Sequence, residues 1–373
     1  MNNVSIIHTA DLHIGAQCSY LLNDAAVRRR EILKTFENII ELAKENNTQL
    51  ILIAGDLFDS NKVEDFLING VFAALNSLEN TKVVIALGNH DPYTADSPFL
   101  SHKLNDNIYI LGKEDTVLTF DSLKCRVYGA SFDGVYNEGS HRFSLTPPND
   151  DYINLMVIHG EARADMGGNY RPITPEFVKY SGMDYIALGH VHTKSEVQYM
   201  GTTAIAYCGC PEGQGFDESG EKGIYMGKVS KENADLKFIP TAKRTHYCLN
   251  VDVTDVTNIR DKIKEEIEKS SKSFKDNYYK IVLTGKREEK RKIDIPSLIA
   301  DLSMEVSFIK IKDKTEIDID YEALSKEKNL KGYFAMLMLE KINTSSGDEK
   351  QKYIDALRLG IESFNGEVNF DED

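Results

Sequence analysis

The chain has 373 residues, a length that predicts two or three domains rather than one. It contains 41% apolar and 28% charged residues, no apolar run near the roughly 20 residues of a membrane helix, no signal-peptide pattern at its start and five scattered cysteines. These features exclude a disordered chain, a disulfide scaffold and a membrane-spanning protein, and they indicate the cytoplasm. The net charge of −15 counts against tight binding to duplex DNA by this chain alone, because such binding relies on excess lysine and arginine.

Strand and helix patterns alternate over the first two-thirds of the chain. Short apolar runs predict buried strands at residues 4–8, 50–54, 83–87, 153–158 and 185–188. Further strand-like runs follow at residues 126–130, 204–207, 223–229 and 236–240. Between the first two strands, apolar side chains recur at helical spacing from residue 33 to residue 43. The pattern predicts a layered α/β domain over residues 1–243.

The pattern changes after residues 240–246, which are predicted to be a linker. A small α+β domain is predicted over residues 244–315, with strands at 249–253, 279–283 and 306–311 and helices at 259–268 and 296–302. The remaining region, residues 316–373, contains two predicted helices at 330–342 and 353–364.

Five short polar motifs follow five of the predicted strands, each at the point where the strand ends. In chain order they are Asp11-Leu12-His13, Gly55-Asp56-Leu57-Phe58-Asp59, Gly88-Asn89-His90-Asp91, His159-Gly160-Glu161 and Gly189-His190-Val191-His192. Binding sites in α/β sheets form outside the carboxyl ends of the strands, so the motifs are expected to meet. Any one of them alone is a common loop or turn sequence. All five in this order predict one site.

The residue types of these motifs suit a pair of metal ions. Carboxylate oxygens and imidazole nitrogens together favour Mn²⁺, Fe or Zn²⁺ over Ca²⁺ or Mg²⁺. None of the five motifs contains a cysteine, so a structural zinc knot is not expected. One aspartate can bridge two metals about 3.5–4 Å apart. The motifs therefore predict a dinuclear centre of the kind that two-metal phosphate enzymes use.

The order D-x-H, G-D-x-x-D, G-N-H-D, H and G-H-x-H resembles the signature of calcineurin-like metallophosphoesterases, over about residues 4–240. Residues 8–15, 55–59 and 88–92 resemble more closely the SbcCD-type and the archaeal and eukaryotic double-strand-break repair nucleases. Residues 211–217 and 330–334 are similar to a bacterial branch of these proteins. The resemblance implies an α/β fold: a layered β-sandwich flanked by helices, with a small α+β capping domain and C-terminal helices.

The resemblance also implies a role for the motif residues. One metal is expected on Asp11, His13 and His192, and the other on Asp56, Asn89, His159 and His190, with Asp56 bridging both. His90 is expected to act on the phosphate, either as an acid or by stabilising charge on the leaving oxygen, and Asp91 to orient it. This chain carries Asp59 where many of the repair nucleases have a histidine.

The function implied by the resemblance is a Mn²⁺-dependent DNA nuclease, a hydrolase with exonuclease activity in DNA repair. It would work as a homodimer with an SMC-like or AAA-type ATPase subunit, on which the final helices dock. Two alternatives stay open: a phosphodiesterase for small nucleotides or lipid-linked phosphates, which suits an acidic chain, and a non-catalytic scaffold of an ATPase complex. A Ser/Thr phosphatase is disfavoured, because residues 55–60 lack an arginine and Asp91 replaces a glutamate.

Other clusters in the sequence have a functional and a structural interpretation. The run Arg28-Arg29-Arg30 is expected to be a solvated helix face rather than a phosphate contact. Cys208 and Cys210 are expected to be small buried thiols rather than metal ligands. The basic residues within 286–292 either contact DNA or a partner, or are only solvated. The apolar stripe of residues 66–78 is either core or half of a dimer interface.

Overall fold

The computed structural model of the protein describes residues 2–136, 145–162, 170–218, 220–288 and 291–365. The strands in these ranges, numbered in chain order, are β1 (Asn3–Thr9), β2 (Leu50–Ala54), β3 (Lys82–Ala86), β4 (Ile108–Ile110), β5 (Thr116–Phe120), β6 (Cys125–Gly129), β7 (Ile153–His159), β8 (Tyr185–Gly189), β9 (Gln198–Met200), β10 (Thr203–Tyr207), β11 (Gly223–Ser230), β12 (Ala234–Pro240), β13 (His246–Asp252), β14 (Tyr278–Thr284), β15 (Lys286–Arg287), β16 (Phe308–Asp313) and β17 (Glu316–Ile317). The α-helices are α1 (Ala25–Glu45), α2 (Asp65–Asn76), α3 (Pro98–Ser101), α4 (Pro175–Tyr180), α5 (Ile259–Ser270), α6 (Ile295–Leu302), α7 (Tyr321–Leu324), α8 (Leu330–Thr344) and α9 (Gly347–Asn365).

The chain divides into two structural units. The first consists of Met1–Cys248, Ile267–Lys280 and Ser303–Lys310. The second consists of Leu249–Glu266, Ile281–Leu302 and Ile311–Asp373. All five polar motifs belong to the first unit.

The first sheet joins six of the described strands in the order β12–β11–β1–β2–β3–β4. β1, β2, β3 and β4 run parallel to one another, with Ile6 opposite Leu50 and Leu52 opposite Val84. β11 pairs with β1, and β12 with β11, in antiparallel registers. β2 is buried along its whole length, as expected for an apolar central strand that is covered on both faces.

The second sheet joins six further described strands in the order β5–β6–β7–β8–β10–β9. β6, β7, β8 and β10 run parallel, and the edge strands β5 and β9 are antiparallel to their neighbours. The register places His159, at the end of β7, opposite Gly189, at the end of β8. Two motifs therefore leave this sheet side by side at the carboxyl ends of its strands.

The alternation of side chains along the strands places the two sheets face to face. Ile6 and Leu52 of the first sheet share an apolar core with Leu155 of the second. Their neighbours along the chain, such as Ile7 and Ile51, point the other way into a core with α1 and α2. On the far side of the second sheet, α4 packs through Val178. The predicted α/β fold, a layered β-sandwich flanked by helices, is confirmed.

The helices over the first sheet settle two interpretations that the sequence left open. Along the apolar stripe of residues 66–78, Phe66 is exposed while Leu67, Phe72, Leu75 and Leu78 are buried, so the stripe is core of this chain. The expectation of a solvated arginine run is wrong for Arg28. This side chain is fully buried, because Glu212, distant in sequence, supplies a carboxylate 2.7 Å away.

The C-terminal helices of the second unit have their own small core. α7, α8 and α9 contribute Leu324, Ala335 and Leu357 to it. α9 begins at Gly347, earlier than the predicted residue 353, and two acidic residues in its first turn favour that start because of the helix dipole. None of the helices in the described parts of the chain combines the length and the hydropathy that a membrane span requires.

The remaining described strands form small sheets. β13, β14 and β16 make a three-stranded sheet in the order β13–β14–β16. β15 and β17 pair in parallel, with Lys286 opposite Glu316. Cys208 and Cys210, which lie at the end of β10, are buried free thiols, as predicted.

Candidate metal centre

The five motifs meet because parallel strands of both sheets deliver them to one edge of the sandwich. Asp11 follows β1, Asp56 follows β2 and Asn89 follows β3, whereas His159 ends β7 and His190 follows β8. The carboxyl ends of parallel strands lie at the same edge, so side chains from distant parts of the sequence come together there.

Main-chain contacts fix the first two motifs against each other. Asp11 N donates to Gly55 O at 3.0 Å, and His13 N donates to Asp56 O at 3.0 Å. Asp11, His13 and Asp56 all have a left-handed backbone, with φ between 46° and 53°. Such a conformation is strained for these residue types and persists only where the surroundings enforce it. At Gly88 a Cβ atom would lie 2.0 Å from Asp56 Oδ1. Only glycine at position 88 therefore lets the third motif run this close to Asp56.

Asp11, His13 and His192 form one group of converging ligand atoms, called here the outer group because the His192 side chain is 29% exposed. The Nε2 atoms of His13 and His192 lie 3.1 Å apart. The other nitrogen of each ring faces a carboxylate: His13 Nδ1 lies 3.1 Å from Asp59 Oδ1, and His192 Nδ1 lies 2.5 Å from Glu218 Oε1. A carboxylate accepts hydrogen bonds, so each neutral ring carries its proton on Nδ1 and the two Nε2 lone pairs face each other. A metal ion between them would be coordinated by both nitrogens. Although burial opposes protonation of His13, Asp59 and Asp56 raise its pKa, so in the metal-free protein a proton can take that place.

Asp56, Asn89 and His159 form a second, buried group, called the inner group. His159 Nδ1 lies 2.9 Å from the carbonyl oxygen of Ala54, which can only accept, so the ring carries a proton there. In the neutral ring Nε2 then points without a hydrogen at Asn89 Oδ1, 2.9 Å away, and at Asp56 Oδ2, 3.3 Å away. Three acceptor atoms this close need a positive charge among them. Both groups therefore fit a divalent metal with oxygen and nitrogen ligands.

Asp56 lies between the two groups. Its Oδ2 atom is 3.3 Å from His159 Nε2 and 3.6 Å from His13 Nε2. Although burial opposes its ionisation, His159 and His13 hold the pKa of Asp56 well below its usual range. Burial also opposes protonation of His159, yet Asp56 and Asp11 raise its pKa to about 9. In the metal-free protein a proton thus supplies the charge that a metal would supply.

His190 is a predicted ligand whose ring nitrogens fall outside the converging groups found among the described residues. Its main-chain N–H donates to Asp11 Oδ1 at 2.9 Å, and its ring stacks on Tyr170 with centroids 4.6 Å apart. Burial lowers the pKa of His190 to about 4, so the ring is neutral, the form in which histidine binds metals. A ligand role for His190 stays a prediction.

The two residues predicted to be catalytic have separate surroundings. Asp91 is fully buried and accepts hydrogen bonds from the main-chain N–H groups of Asp56, Leu57, Phe58 and Gly88. Burial and the nearby Asp56 carboxylate raise the pKa of Asp91 to about 7. The His90 side chain is 45% exposed, and its Nδ1 lies 3.1 Å from the carbonyl oxygen of Asp59. Asp91 therefore connects the loop after β2 with the loop after β3. The contact with His90 that was expected of Asp91 is made by the carbonyl oxygen of Asp59. Their catalytic roles stay predictions.

Two carboxylates at the site had no assigned role in the sequence. Asp59 belongs to a motif, but its contacts with His13 and His90 depend on how two loops fold. Glu218 lies one residue beyond the loop 211–217 that the resemblance singled out, and it belongs to no motif. Its contact with His192 joins residues 26 positions apart, so spacing gave no signal.

Two groups of ligands that fit metal ions, held at the edge of a layered α/β sandwich, indicate a hydrolase that uses metals. Residues 4–194, more than half of the chain, match the profile of the family described as Calcineurin-like phosphoesterase. The chain belongs to the calcineurin-like phosphoesterase family, and it is a metal-dependent hydrolase of phosphoester bonds.

The proteins similar to this chain include one named as a metallophosphoesterase and others named as DNA repair proteins. The uncharacterized metallophosphoesterase YhaO of Bacillus subtilis (strain 168) is 27% identical over 274 residues, which cover 69% of this chain and 65% of that protein, slightly less than two-thirds of its length. The DNA double-strand break repair protein Mre11 of Sulfurisphaera tokodaii is 24% identical over 401 residues, covering 98% of this chain and 99% of that protein. The crystal structure of the calcineurin-like phosphoesterase YfkN from Bacillus subtilis overlaps with a TM-score of 0.37 at 13% identity, over 64% of this chain and 89% of that chain. So low a TM-score adds nothing to the family assignment.

Proposed function

We propose that this protein is a Mn²⁺-dependent DNA nuclease of the SbcCD type that acts in double-strand-break repair. The observation that carries the proposal is the match with the Mre11 protein of Sulfurisphaera tokodaii. That match extends over 98% of this chain, well beyond residue 194, where the family profile ends. A match that continues outside the metal-binding sandwich supports a shared class of substrate, because substrate selection is the role proposed for those regions.

The chemistry proposed for the site needs both metal ions and the residues around them. Bound metals would activate the attacking water and neutralise the phosphate oxygens, and Mn²⁺ suits the oxygen and nitrogen ligands. Because the carbonyl oxygen of Asp59 accepts from His90 Nδ1–H, the half-exposed ring presents its Nε2 to a substrate. When the ring is protonated, Nε2–H can donate to the leaving oxygen of the phosphodiester.

The other regions are proposed to select DNA and to bind a partner. We assign the nuclease domain to residues 1–243, a capping domain that contacts DNA to residues 244–315, and a partner-binding region to residues 316–373. On α8, Leu330, Tyr333 and Leu337 are exposed at helical spacing, which suits the docking of a partner helix.

The proposed partner is an SMC-like or AAA-type ATPase subunit, and the proposed setting is the cytoplasm. A homodimer is proposed from the resemblance alone, since the apolar stripe of residues 66–78 is core of this chain.

A phosphodiesterase for small nucleotides or lipid-linked phosphates is the second candidate. The observation in its favour is the net charge of −15, which repels the many phosphates of a long duplex but hinders a small substrate much less. Under the first proposal, the ATPase partner would supply the missing positive charge.

One experiment separates the two candidates. Mn²⁺-loaded protein is incubated with linear duplex DNA, hairpin DNA, a cyclic nucleotide and a nitrophenyl phosphodiester, and Asp56→Asn serves as the inactive control. The nuclease proposal expects cleavage of both DNA substrates and of the nitrophenyl ester. Cleavage of the cyclic nucleotide with both DNA substrates left intact would favour the second candidate. Failure to cleave any of the four would count against both candidates.

A further inference from the structure

The segment between β10 and β11 carries a carboxylate that touches a proposed metal ligand without being one itself. Glu218 Oε1 lies 2.5 Å from His192 Nδ1. The opposite edge of the same imidazole carries Nε2, which faces His13 in the outer group. The Glu218 side chain is 13% exposed, so water competes little for its oxygens.

The Glu218 carboxylate and the main chain of His192 are each held by contacts with neighbouring residues. Glu218 Oε2 accepts the main-chain N–H of Gln214 at 2.8 Å and lies 3.5 Å from Cys210 Sγ. The carbonyl oxygen of His192 accepts from Lys222 Nζ at 2.9 Å and from Cys210 N at 3.2 Å. Cys210 contacts both residues, so these contacts hold the Glu218 carboxylate and the main chain of His192 in one arrangement.

The loop that carries Glu218 is anchored at two further points within the first unit. Glu212 is fully buried, and its carboxylate accepts from Arg28 Nη2 at 2.7 Å and from Thr35 Oγ1 at 2.6 Å. Phe216 packs edge-on against Tyr20, with ring centroids 5.8 Å apart. The loop therefore presents Glu218 at a defined position beside the outer group.

His192, Cys210 and Glu218 could also be taken for ligands of a separate metal, because their donor atoms lie within 4.8 Å of one another. The direct contact argues against this. His192 Nδ1 lies at hydrogen-bond distance from Glu218 Oε1. A ring whose Nε2 binds a metal in the outer group keeps its proton on Nδ1, which then has no lone pair for a second ion.

We propose that Glu218 is a positioning residue of the metal centre: it accepts the Nδ1 proton of His192 and so directs the Nε2 lone pair into the outer group. The inference rests on the proposed role of His192 as a metal ligand. A neutral imidazole has two tautomers, and only the one with Nδ1 protonated can bind a metal through Nε2. A carboxylate at Nδ1 selects that tautomer, fixes the ring and makes Nε2 a stronger donor.

The test compares Glu218→Ala and Glu218→Gln with a matched control, Glu221→Gln, in the full chain. Glu221 is a nearby carboxylate that is 66% exposed and pairs with Lys194, so its loss removes the same charge without touching His192. Metal-free proteins are titrated with Mn²⁺. We expect Glu218→Ala to weaken one of the two sites by about 10–100-fold. Glu218→Gln keeps an oxygen acceptor and should lose about threefold to tenfold, while Glu221→Gln matches the wild type.

A second readout needs no metal. Nitrogen-15 NMR of the histidine rings in the metal-free protein reports the tautomer of His192, assigned by the signal that disappears in His192→Gln. The wild type and Glu221→Gln should show the Nδ1-protonated form, and Glu218→Ala should show a mixture of both tautomers.

Several results would overturn the inference. One is unchanged Mn²⁺ affinity together with an unchanged tautomer in the Glu218 variants. Another is a third metal in the wild type that is lost in Glu218→Ala, since Glu218 would then be a ligand. If Glu218→Ala does not fold, Glu218→Gln decides alone, and affinity equal to that of Glu221→Gln counts against the inference. A wild-type protein that binds no Mn²⁺ would instead refute the proposed metal centre, and the tautomer measurement would still judge the role of Glu218.

Discussion

The inner and outer groups orient their histidines with different parts of the chain. In the inner group, a main-chain carbonyl, that of Ala54, holds the fully buried His159. In the outer group, side-chain carboxylates hold His13 and His192, and one of these carboxylates lies on a loop outside every motif. A main-chain partner is present in any sequence that adopts the fold, whereas a side-chain partner depends on the residue type. The orientation of His159 therefore follows from the path of the main chain, whereas single substitutions can change the orientation of the outer histidines.

The largest effect is expected at Asp56, which is within reach of both groups. Asp56→Asn should weaken both metals and reduce phosphodiester hydrolysis to the level of the metal-free protein, because the bridging position needs two charged oxygens. His13→Ala should weaken chiefly the outer metal. Elemental analysis of the Mn²⁺-reconstituted proteins measures this, with two metals per wild-type chain expected. An Asp56→Asn protein that keeps both metals at wild-type affinity would contradict the arrangement.

His90 gives the next largest effect and separates catalysis from metal binding. One of its ring nitrogens lies within 4.8 Å of ligand atoms of His13 and Asp56, so the geometry admits a ligand as well as an acid. As an acid, His90→Ala keeps both metals while turnover of DNA falls by about 10²–10⁴-fold. A nitrophenyl phosphodiester should be less affected, because its leaving oxygen needs little protonation.

The control for His90 is His102→Ala, since His102 lies outside the motifs and stacks on Phe72. Its metal content and its turnover should both match the wild type. Loss of a metal from His90→Ala would show that the ring is a ligand. Equal losses on DNA and on the nitrophenyl ester would exclude the acid role and leave only charge stabilisation.

The third effect is a loss of stability when the Arg28–Glu212 pair, which anchors the loop that carries Glu218, is broken. Arg28→Ala would leave the buried Glu212 carboxylate without its guanidinium, a change that typically costs about 3–5 kcal/mol. Arg30→Ala, at an exposed position on the same helix, should stay within about 0.5 kcal/mol. Thermal unfolding of the metal-free proteins measures both. We also expect Arg28→Ala to weaken the outer metal more than the inner one, and equal weakening of both would argue that the loop does not support the outer group.

The sequence made the ligands of both groups predictable and left hidden the carboxylates that orient the histidines of the outer group. Asp56, Asn89 and His159 each stand at the end of an apolar run that could be recognised as a strand, so strand order alone brings them together. The contact of Glu218 with His192 depends on the path of a loop whose anchors, such as Arg28, lie far away in sequence. Local patterns carry no information about such pairings.

Local patterns also gave no sign of the contact that holds the predicted linker in place. Residues 240–246 have the composition of a connecting segment, and β13 begins at His246. Arg244, inside that segment, donates from Nε and Nη2 to the Glu31 carboxylate at 2.7 and 2.6 Å. An arginine in a polar stretch predicts solvent exposure. Only the folded chain shows that Arg244 pairs with Glu31, a residue of α1 more than 200 positions earlier.

The smallest expected effect is a pH dependence of the inner group, which comes from the proton on His159. In the metal-free protein the pKa of His159 is raised from 6.5 to about 9, so the ring is charged near neutral pH. The folded chain binds this proton more tightly than the unfolded chain does. The charged ring therefore stabilises the metal-free fold fully below about pH 6.5, and this contribution is lost as the pH rises through about 9. A metal at the inner group must displace the same proton. We expect the apparent Mn²⁺ affinity of that site to rise by up to about tenfold per pH unit toward pH 9. Calorimetric titration in two buffers of different ionisation enthalpy counts the protons released, and the count should fall when His159 is replaced by glutamine. Glu218→Ala should leave the release at the inner site unchanged, because its carboxylate contacts His192, a member of the outer group, and none of the inner ligands Asp56, Asn89 and His159. An inner site whose affinity does not change with pH would mean that the proton on His159 and the metal do not compete.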